Sequence, residues 1–289
     1  MHPQLFPILA ALTSGTLFAL MQLIMKRHTT ATTHPLFMPA YFGLMAPVWL
    51  VFMLVGHGTS LLTLNFTTTG LFYPSLWAVV TVTSTCTLVW LFKNFSLTEL
   101  VGYRKALITL GAMLMDVLIF KQVFPAPELV AIAFLLTGAL LLSHSRSRLP
   151  TLAEFGILSV WCAIMTAQIT FYKEAQHNQP SVLANAAISQ FLSSSLYATF
   201  WFLPSLRNGI KHIPRSHLLV LLGTNFAGTL LEGFAYQGLP LAVLIVLTIL
   251  PSTLFAAHDL WRGHLPRHPR SFAALGLLAI GLLLLILTK

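Results

Sequence analysis

Charge is what this sequence has least of. Asp, Glu, Lys and Arg make up 8% of its 289 residues, against 56% hydrophobic residues, whereas a soluble domain is about one quarter charged. So few charges cannot cover a water-facing surface, which excludes an ordinary soluble domain. Acidic groups are scarcer than basic ones, seven against sixteen, for a formal net charge of +9. That excess does not point to nucleic acid. Most Lys and Arg fall in short gaps between apolar runs, the usual place of membrane-orienting charges, and no basic patch is interleaved with aromatics. Cysteine is limited to Cys86 and Cys162, each inside an apolar run. They are expected to be small buried hydrophobes and not a disulfide. No Walker, Gly-x-Ser-x-Gly or zinc-protease motif occurs, and no span holds a His-x-x-x-His or Cys-x-x-Cys set. The expectation is therefore no metal, no cofactor and no enzymatic activity.

What is present is apolar length. A membrane-spanning helix needs about 20 mostly apolar residues. Ten runs qualify: 5–26, 36–56, 72–93, 98–119, 127–143, 155–175, 181–203, 217–236, 239–259 and 270–288. The first lacks a basic leader segment and continues to Met25, so it reads as a retained span and not a signal peptide. The polar gap SHSRSRLPTLAE at 143–154 separates five spans from five. The halves, 1–145 and 146–289, show a weak repeat. At an offset of 143, Asp116 meets Asp259, Thr109 meets Ser252, and Gly138 meets Gly281. Lys26 and Lys173 close the first span of each half, and Pro35 and Pro180 open the second. With five spans per half, the second half enters the membrane from the opposite face. The predicted fold is an all-α polytopic membrane protein, ten transmembrane helices as two inverted five-helix repeats, a build that places a substrate site near the midplane.

Four stretches carry a family resemblance. They are the Gly15 to Lys26 spacing in SGTLFALMQLIMK, the segment FAYQGLPLAVLIVLTILPSTLFAA at 234–257 with its internal Pro251, and the small-residue closing spans FLLTGALLLS and LLAIGLLLLI. On these the chain resembles the drug/metabolite transporter superfamily, in its ten-span form with two EamA-like halves. Two positions depart from the pattern. Ile108 stands where the first half usually has a proline, and Lys121-Gln122 replaces an acidic residue. The resemblance implies a secondary carrier of amino acids, related metabolites or amphipathic drugs, more often exporting than importing. It also implies the bacterial cytoplasmic (inner) membrane, cytoplasmic termini, and a monomer or homodimer. The charge bias points the other way on orientation. The face opposite the termini carries eleven Lys and Arg and the terminal face three, Lys121, Lys173 and Lys289, which by the positive-inside rule places both termini outside the cytoplasm.

Candidate site residues are the polar groups inside the spans. Asn225, Thr229, Glu232 and Tyr236 share one stripe of the eighth span. A charge at a helix centre costs about 2.5–3.5 kcal/mol on insertion scales. Glu232 therefore faces protein or water, or holds a proton; it is a substrate or coupling-proton site, or else a hydrogen-bond anchor between helices. In the fourth span Lys105, Thr109, Ala112 and Asp116 share a face, with Lys105 and Asp116 about 16 Å apart along the axis. Tyr103, Arg104 and Lys105 form its most polar segment. Arg104 or Lys105 binds an anionic substrate group, or both snorkel to the interface. Asp116 and Asp259 are candidates for a gate or proton site, or end their helices near the headgroups. Thr83, Thr87, Trp90 and Asn94 form a stripe of the third span, and Tyr41, Asn185 and Ser189 add polar groups in the second and seventh. Trp90 lines the cavity or belongs to the interfacial belt. Lys26 and Lys173 are read as interfacial anchors, although the transporter resemblance implies a place for such lysines near the mouth of the central cavity. The leading expectation is a carrier for a small polar metabolite, with protons as candidate coupling ions and the lipid bilayer as its setting. The alternative is a translocator of lipids or lipid-linked sugars.

Overall fold

The computed structural model describes residues 5–29, 36–59, 62–94, 97–143, 151–207, 213–248, 251 and 269–287. Regular structure among them is helical throughout. The helices are α1 (Leu5–His28), α2 (Phe37–Phe42), α3 (Met45–Gly58), α4 (Thr68–Asn94), α5 (Leu97–Leu118), α6 (Ala126–Ser143), α7 (Leu152–Asn178), α8 (Val182–Ala198), α9 (Pro204–Arg207), α10 (Arg215–Gly238) and α12 (Pro269–Leu287). Residues 241–248 are also helical (α11), and a 3-10 turn, Thr199–Phe202, precedes α9.

Five segments are long and apolar enough to cross a membrane: Leu5–His28, Phe37–Gly58, Thr68–Phe92, Leu152–Asn178 and Arg215–Gly238. The 24 residues of α1 rise about 36 Å, more than the roughly 30 Å hydrocarbon thickness. Leu107–Leu118, Ala126–Gly138 and Phe272–Leu285 are apolar but shorter. Large aliphatic side chains such as Leu54, Val55, Val160, Leu219 and Leu283 lie exposed on the outside, where lipid is the natural solvent for them. The chain is an integral membrane protein by this construction.

Two local features depart from uninterrupted spans. The run 36–56 breaks between α2 and α3 at Gly43, where a Cβ would stand 2.7 Å from the Cα of Ala198. The missing side chain lets the end of α8 come against the break, and the Trp201 indole donates to the Ala40 carbonyl at 2.8 Å. At the start of α7, Thr151 and Glu154 form a reciprocal capping box. The Thr151 hydroxyl accepts from the Glu154 N–H at 3.3 Å, and the Thr151 N–H donates to the Glu154 carboxylate at 2.7 Å. Two donors that the helix cannot satisfy itself are thereby paired.

Helices pack in specific pairs: α1 on α10, α4 on α7 and α8, α3 on α8, α5 on α6 and α7, and α6 on α12. The α6–α12 seam is reciprocal. A Cβ on Gly138 would stand 2.8 Å from the Ala274 carbonyl oxygen and 2.9 Å from Leu278, and one on Gly281 would stand 2.9 Å from the Ala131 carbonyl oxygen and 2.7 Å from Leu135. Small residues let the two backbones touch, as membrane helices do when apolar burial alone cannot drive association.

Candidate functional site

A cavity of about 150 Å³ lies where α1, α4, α5, α7, α10 and α11 converge. Gly15 permits this convergence, because any side chain there would collide with the backbone of Thr248. Glu232 and Tyr236, one turn apart on α10, form part of the wall. Phe18, Trp77, Met21 and Met165 supply most of its bulk, and Gln22, Gln168, Ser84 and Thr85 its remaining polarity. The rings of Trp77, Tyr172 and Tyr236 contact one another in sequence, each tilted against the next, with centroids 5.3 and 5.0 Å apart.

On the other side of Tyr236 is a larger vestibule of about 470 Å³, lined by Phe120, Gln122, Lys173, His177 and the 237–240 turn. Tyr236 belongs to both spaces, so it is the partition between them. Beside the vestibule Lys173 sits over the Phe120 ring, 4.4 Å from its centroid, and 3.6 Å from Asp116 Oδ1. Asp116 is fully buried. Its two oxygens accept from the backbone N–H groups of Leu241 at 3.0 Å and Ala242 at 2.8 Å. These open α11. The first N–H groups of a helix have no intrahelical acceptor and carry the positive end of its dipole, so a carboxylate from α5 completes the start of a helix in the other half. Asp116 and Lys173 are thus buried and paired with each other, and neither is an exposed charge at the end of its helix. Lys26 is tied to α4, donating to the Phe92 carbonyl.

The other candidates divide. Thr229 is buried and accepts from the Gln190 amide at 3.0 Å, joining α10 to α8. Asn185 is fully buried; it donates to the Tyr172 carbonyl at 3.4 Å and accepts from Ser189 at 3.1 Å. Asn225 approaches the Met21 sulfur at 4.0 Å. These three make helix–helix contacts and are not among the cavity-lining residues. Tyr41 is buried against Phe37. Trp90 is 40% exposed and Thr83 is exposed, so their stripe faces outward. The cavity face of α4 is instead Trp77, Ser84, Thr85 and Leu88. Hydroxyls misled the choice because Thr83 and Thr87 donate to the Val79 and Thr83 carbonyls four residues back. A self-satisfied Thr is tolerated against lipid and reports no cavity. Tyr103, Arg104 and Lys105 lie in α5, but their side chains fall outside the described residues, as does the whole of Asp259.

Sequence reasoning missed a stripe on α7. Gln168, Tyr172 and Gln176, at steps of four, run from the cavity past the aromatic partition to the vestibule. Among the described residues, the buried Gln168 Oε1, Tyr172 Oη and Gln176 Oε1 atoms have no hydrogen-bond partner. Their i, i+4, i+8 spacing in TAQITFYKEAQ was the available signal. Among the described residues no group of three or more His, Cys, Asp or Glu is placed to hold a metal.

No protein-family model matches the chain, and none of the curated proteins does. Solved structures do match in shape. One crystal structure, described only as that of a protein, superposes with a TM-score of 0.66 over 96% of this chain and 96% of its own, at 14% identity. At that identity the likeness is one of fold alone.

Proposed function

We propose that the protein is a secondary active carrier that moves a small polar metabolite by alternating access, rocking residues 1–145 against 146–289 around the cavity at Glu232. The observation that carries this reading is the placement of Glu232: a carboxylate within the membrane-spanning α10, six residues before its end, in the wall of an internal cavity built from both halves. Two further features support it. One packing pair exchanges under a swap of halves, α1 on α10 having its counterpart in α7 on α4. The α6–α12 seam maps onto itself at the offset of 143 that relates Gly138 to Gly281. Such symmetry is what ten spans in two inverted repeats require. On the resemblance to drug/metabolite transporters, the substrate is an amino acid or related compound, moved outward across a bacterial cytoplasmic membrane with protons as coupling ions, and the protein is no enzyme.

Reconstitution tests it. Proteoliposomes containing the protein should show saturable, gradient-dependent flux of a metabolite, and Glu232→Gln should abolish either the flux or its dependence on a pH gradient. Flux unchanged in Glu232→Gln would reject the role given to this residue.

One observation favours the translocator alternative. An apolar cleft of about 430 Å³ opens between α5 and α7, lined by residues such as Leu107, Leu114, Met115, Ile119 and Phe171. A cleft of this kind could take an acyl chain. Competition by lipid headgroup analogues and none by free metabolites would favour that reading.

A further inference from the structure

Lys173 and His177 belong to the wall of the vestibule, and among the described residues no Asp or Glu does. Residues 1–4, just before α1, and 60–61, just after α3, add no Asp, Glu, Lys or Arg. Glu174 follows Lys173 on α7, and Glu128 is buried in the first turn of α6, but neither lines this space. The Lys173 ammonium is held on one side by the Phe120 ring, 4.4 Å to its centroid, and on another by Asp116 Oδ1 at 3.6 Å. What is left of its surface, 8% of the residue, faces the vestibule.

The ion pair beneath it is incomplete. At 3.6 Å Asp116 is too far to accept a full hydrogen bond from Lys173. Both Asp116 oxygens already accept from the N–H groups that start α11, and the positive end of that helix offsets part of their charge. Lys173 thus keeps its N–H donors and a charge that Asp116 balances only in part. A carboxylate entering from the vestibule supplies what Asp116 does not, charge-assisted hydrogen bonds of about 2.7–2.9 Å. A cation there meets the like charge of Lys173, and a neutral group forgoes the Coulomb gain. One ammonium matches one negative charge, whereas bidentate phosphate recognition favours Arg, and among the described residues no Arg lines the vestibule. The exposed amides of Gln122 and Gln237 offer donors and acceptors to polar substituents of the guest. The volume of about 470 Å³ is that of a small-molecule site.

We infer that the vestibule is a carboxylate seat, in which Lys173 exchanges Asp116 for the carboxylate of a small organic acid while Gln122 and Gln237 hold the polar remainder. This rests on the carrier reading for the consequence of binding, and sharpens it by assigning the acidic end of the substrate to the vestibule, outside the Tyr236 partition.

Three probes on one skeleton separate the chemistries: the anion lactate, its neutral amide lactamide, and the cation 1-amino-2-propanol. Thermal stabilisation and saturation-transfer NMR would be measured with each on the purified full-length protein in detergent, at constant ionic strength. Lactate should raise the unfolding temperature and show saturation transfer, and the other two should do neither at the same concentration. Lys173→Met should weaken lactate binding by at least about tenfold, equivalent to 1.4 kcal/mol. Lys173→Arg should retain part of it, and Lys121→Met, an exposed lysine of the same face, should retain all of it. Asp116→Asn removes the competing charge and should tighten lactate binding, an effect that a merely structural ion pair would not produce. Unliganded unfolding temperatures establish that the variants are folded, and if Asp116→Asn does not fold the two Lys173 variants decide. Equal binding of lactamide, preferential binding of the amine, undiminished affinity in Lys173→Met, an equal loss in Lys121→Met, no tightening in a folded Asp116→Asn, or no response to lactate and to alanine at millimolar concentration each overturns the proposal. Proteoliposome flux separates this from the carrier reading. Lactate bound but never moved under any gradient leaves the seat and removes the carrier. Flux of a metabolite without a carboxylate that lactate does not inhibit leaves the carrier and removes the seat.

Discussion

Asp116 and Lys173 are held 3.6 Å apart in the interior, one at the end of α5 and the other near the end of α7. Asp116 is at the same time the acceptor for the first N–H groups of α11. One carboxylate thus ties together three helices, two of them from the second half of the chain. It does so beside the vestibule, and α11 itself contributes Ile245 and Thr248 to the cavity wall.

Removing the carboxylate should be costly. Asp116→Ala leaves a buried ammonium and two N–H groups without their acceptor, and breaking a buried pair in this way costs about 3–5 kcal/mol. Asp116→Asn keeps one acceptor oxygen and should cost less. Lys173→Met removes the cation but leaves the carboxylate on its two N–H donors, so it should be the mildest of the three. Thermal unfolding in detergent ranks them; equal losses in all three would reject the cap as the principal role of Asp116.

The α6–α12 seam has no space for side chains at its two glycines. Gly138→Ala and Gly281→Ala each place a Cβ within 3 Å of a backbone carbonyl on the facing helix, and overpacking of this sort costs about 1–3 kcal/mol. Similar losses are expected at both positions because their surroundings are reciprocal. By contrast Gly276, with nothing near its Cβ position, should accept Ala with a small gain in stability. The readout is the unfolding temperature of the three variants.

Lys121 sits just beyond α5 with φ of 53°, in the left-handed region that costs a non-glycine residue roughly 1–2 kcal/mol. The N–H of Gln122 donates back to the Asp116 carbonyl at 2.9 Å, a helix-ending turn that glycine usually supplies. Lys121→Gly should therefore stabilise the protein by about 1 kcal/mol, less what is lost from the Lys121 ammonium donating to the Leu118 carbonyl at 2.7 Å. A fall in unfolding temperature would mean that this side-chain contact outweighs the backbone strain.

The vestibule and the charge bias bear on orientation together. Lys121 and Lys173 belong to the face with few basic residues, and Lys173 lines the vestibule. The positive-inside rule predicts that this face and both termini lie outside the cytoplasm, and the transporter resemblance predicts the reverse. In a background lacking Cys86 and Cys162, Gln176→Cys should react in intact cells with an impermeant thiol reagent. A C-terminal reporter that works only in the cytoplasm should stay silent. An active reporter together with an unreactive Cys would instead place the termini inside, as the transporter resemblance implies.

The sequence by itself determined the class of the protein, its five long apolar helical segments and the anomaly at Glu232. Each follows from one solvent rule: within a bilayer the backbone must satisfy its own hydrogen bonds, so long apolar runs become helices and a mid-helix charge needs a reason. Where the helices are glycine-punctuated, the 143-residue offset even aligned Gly138 with Gly281, whose surroundings are reciprocal. Only the tertiary structure decided which side of each helix faces inward. Lipid tails are as apolar as a packed core, so hydrophobicity does not mark the buried face, and hydroxyls that bond to their own helix do not mark it either. That is why α4 presents Trp77 and Ser84 to the cavity and Thr83 and Trp90 to the outside. It is also why Asp116, near a helix end in the sequence, is found buried against the start of α11. A partner more than a hundred residues away leaves no trace in local periodicity.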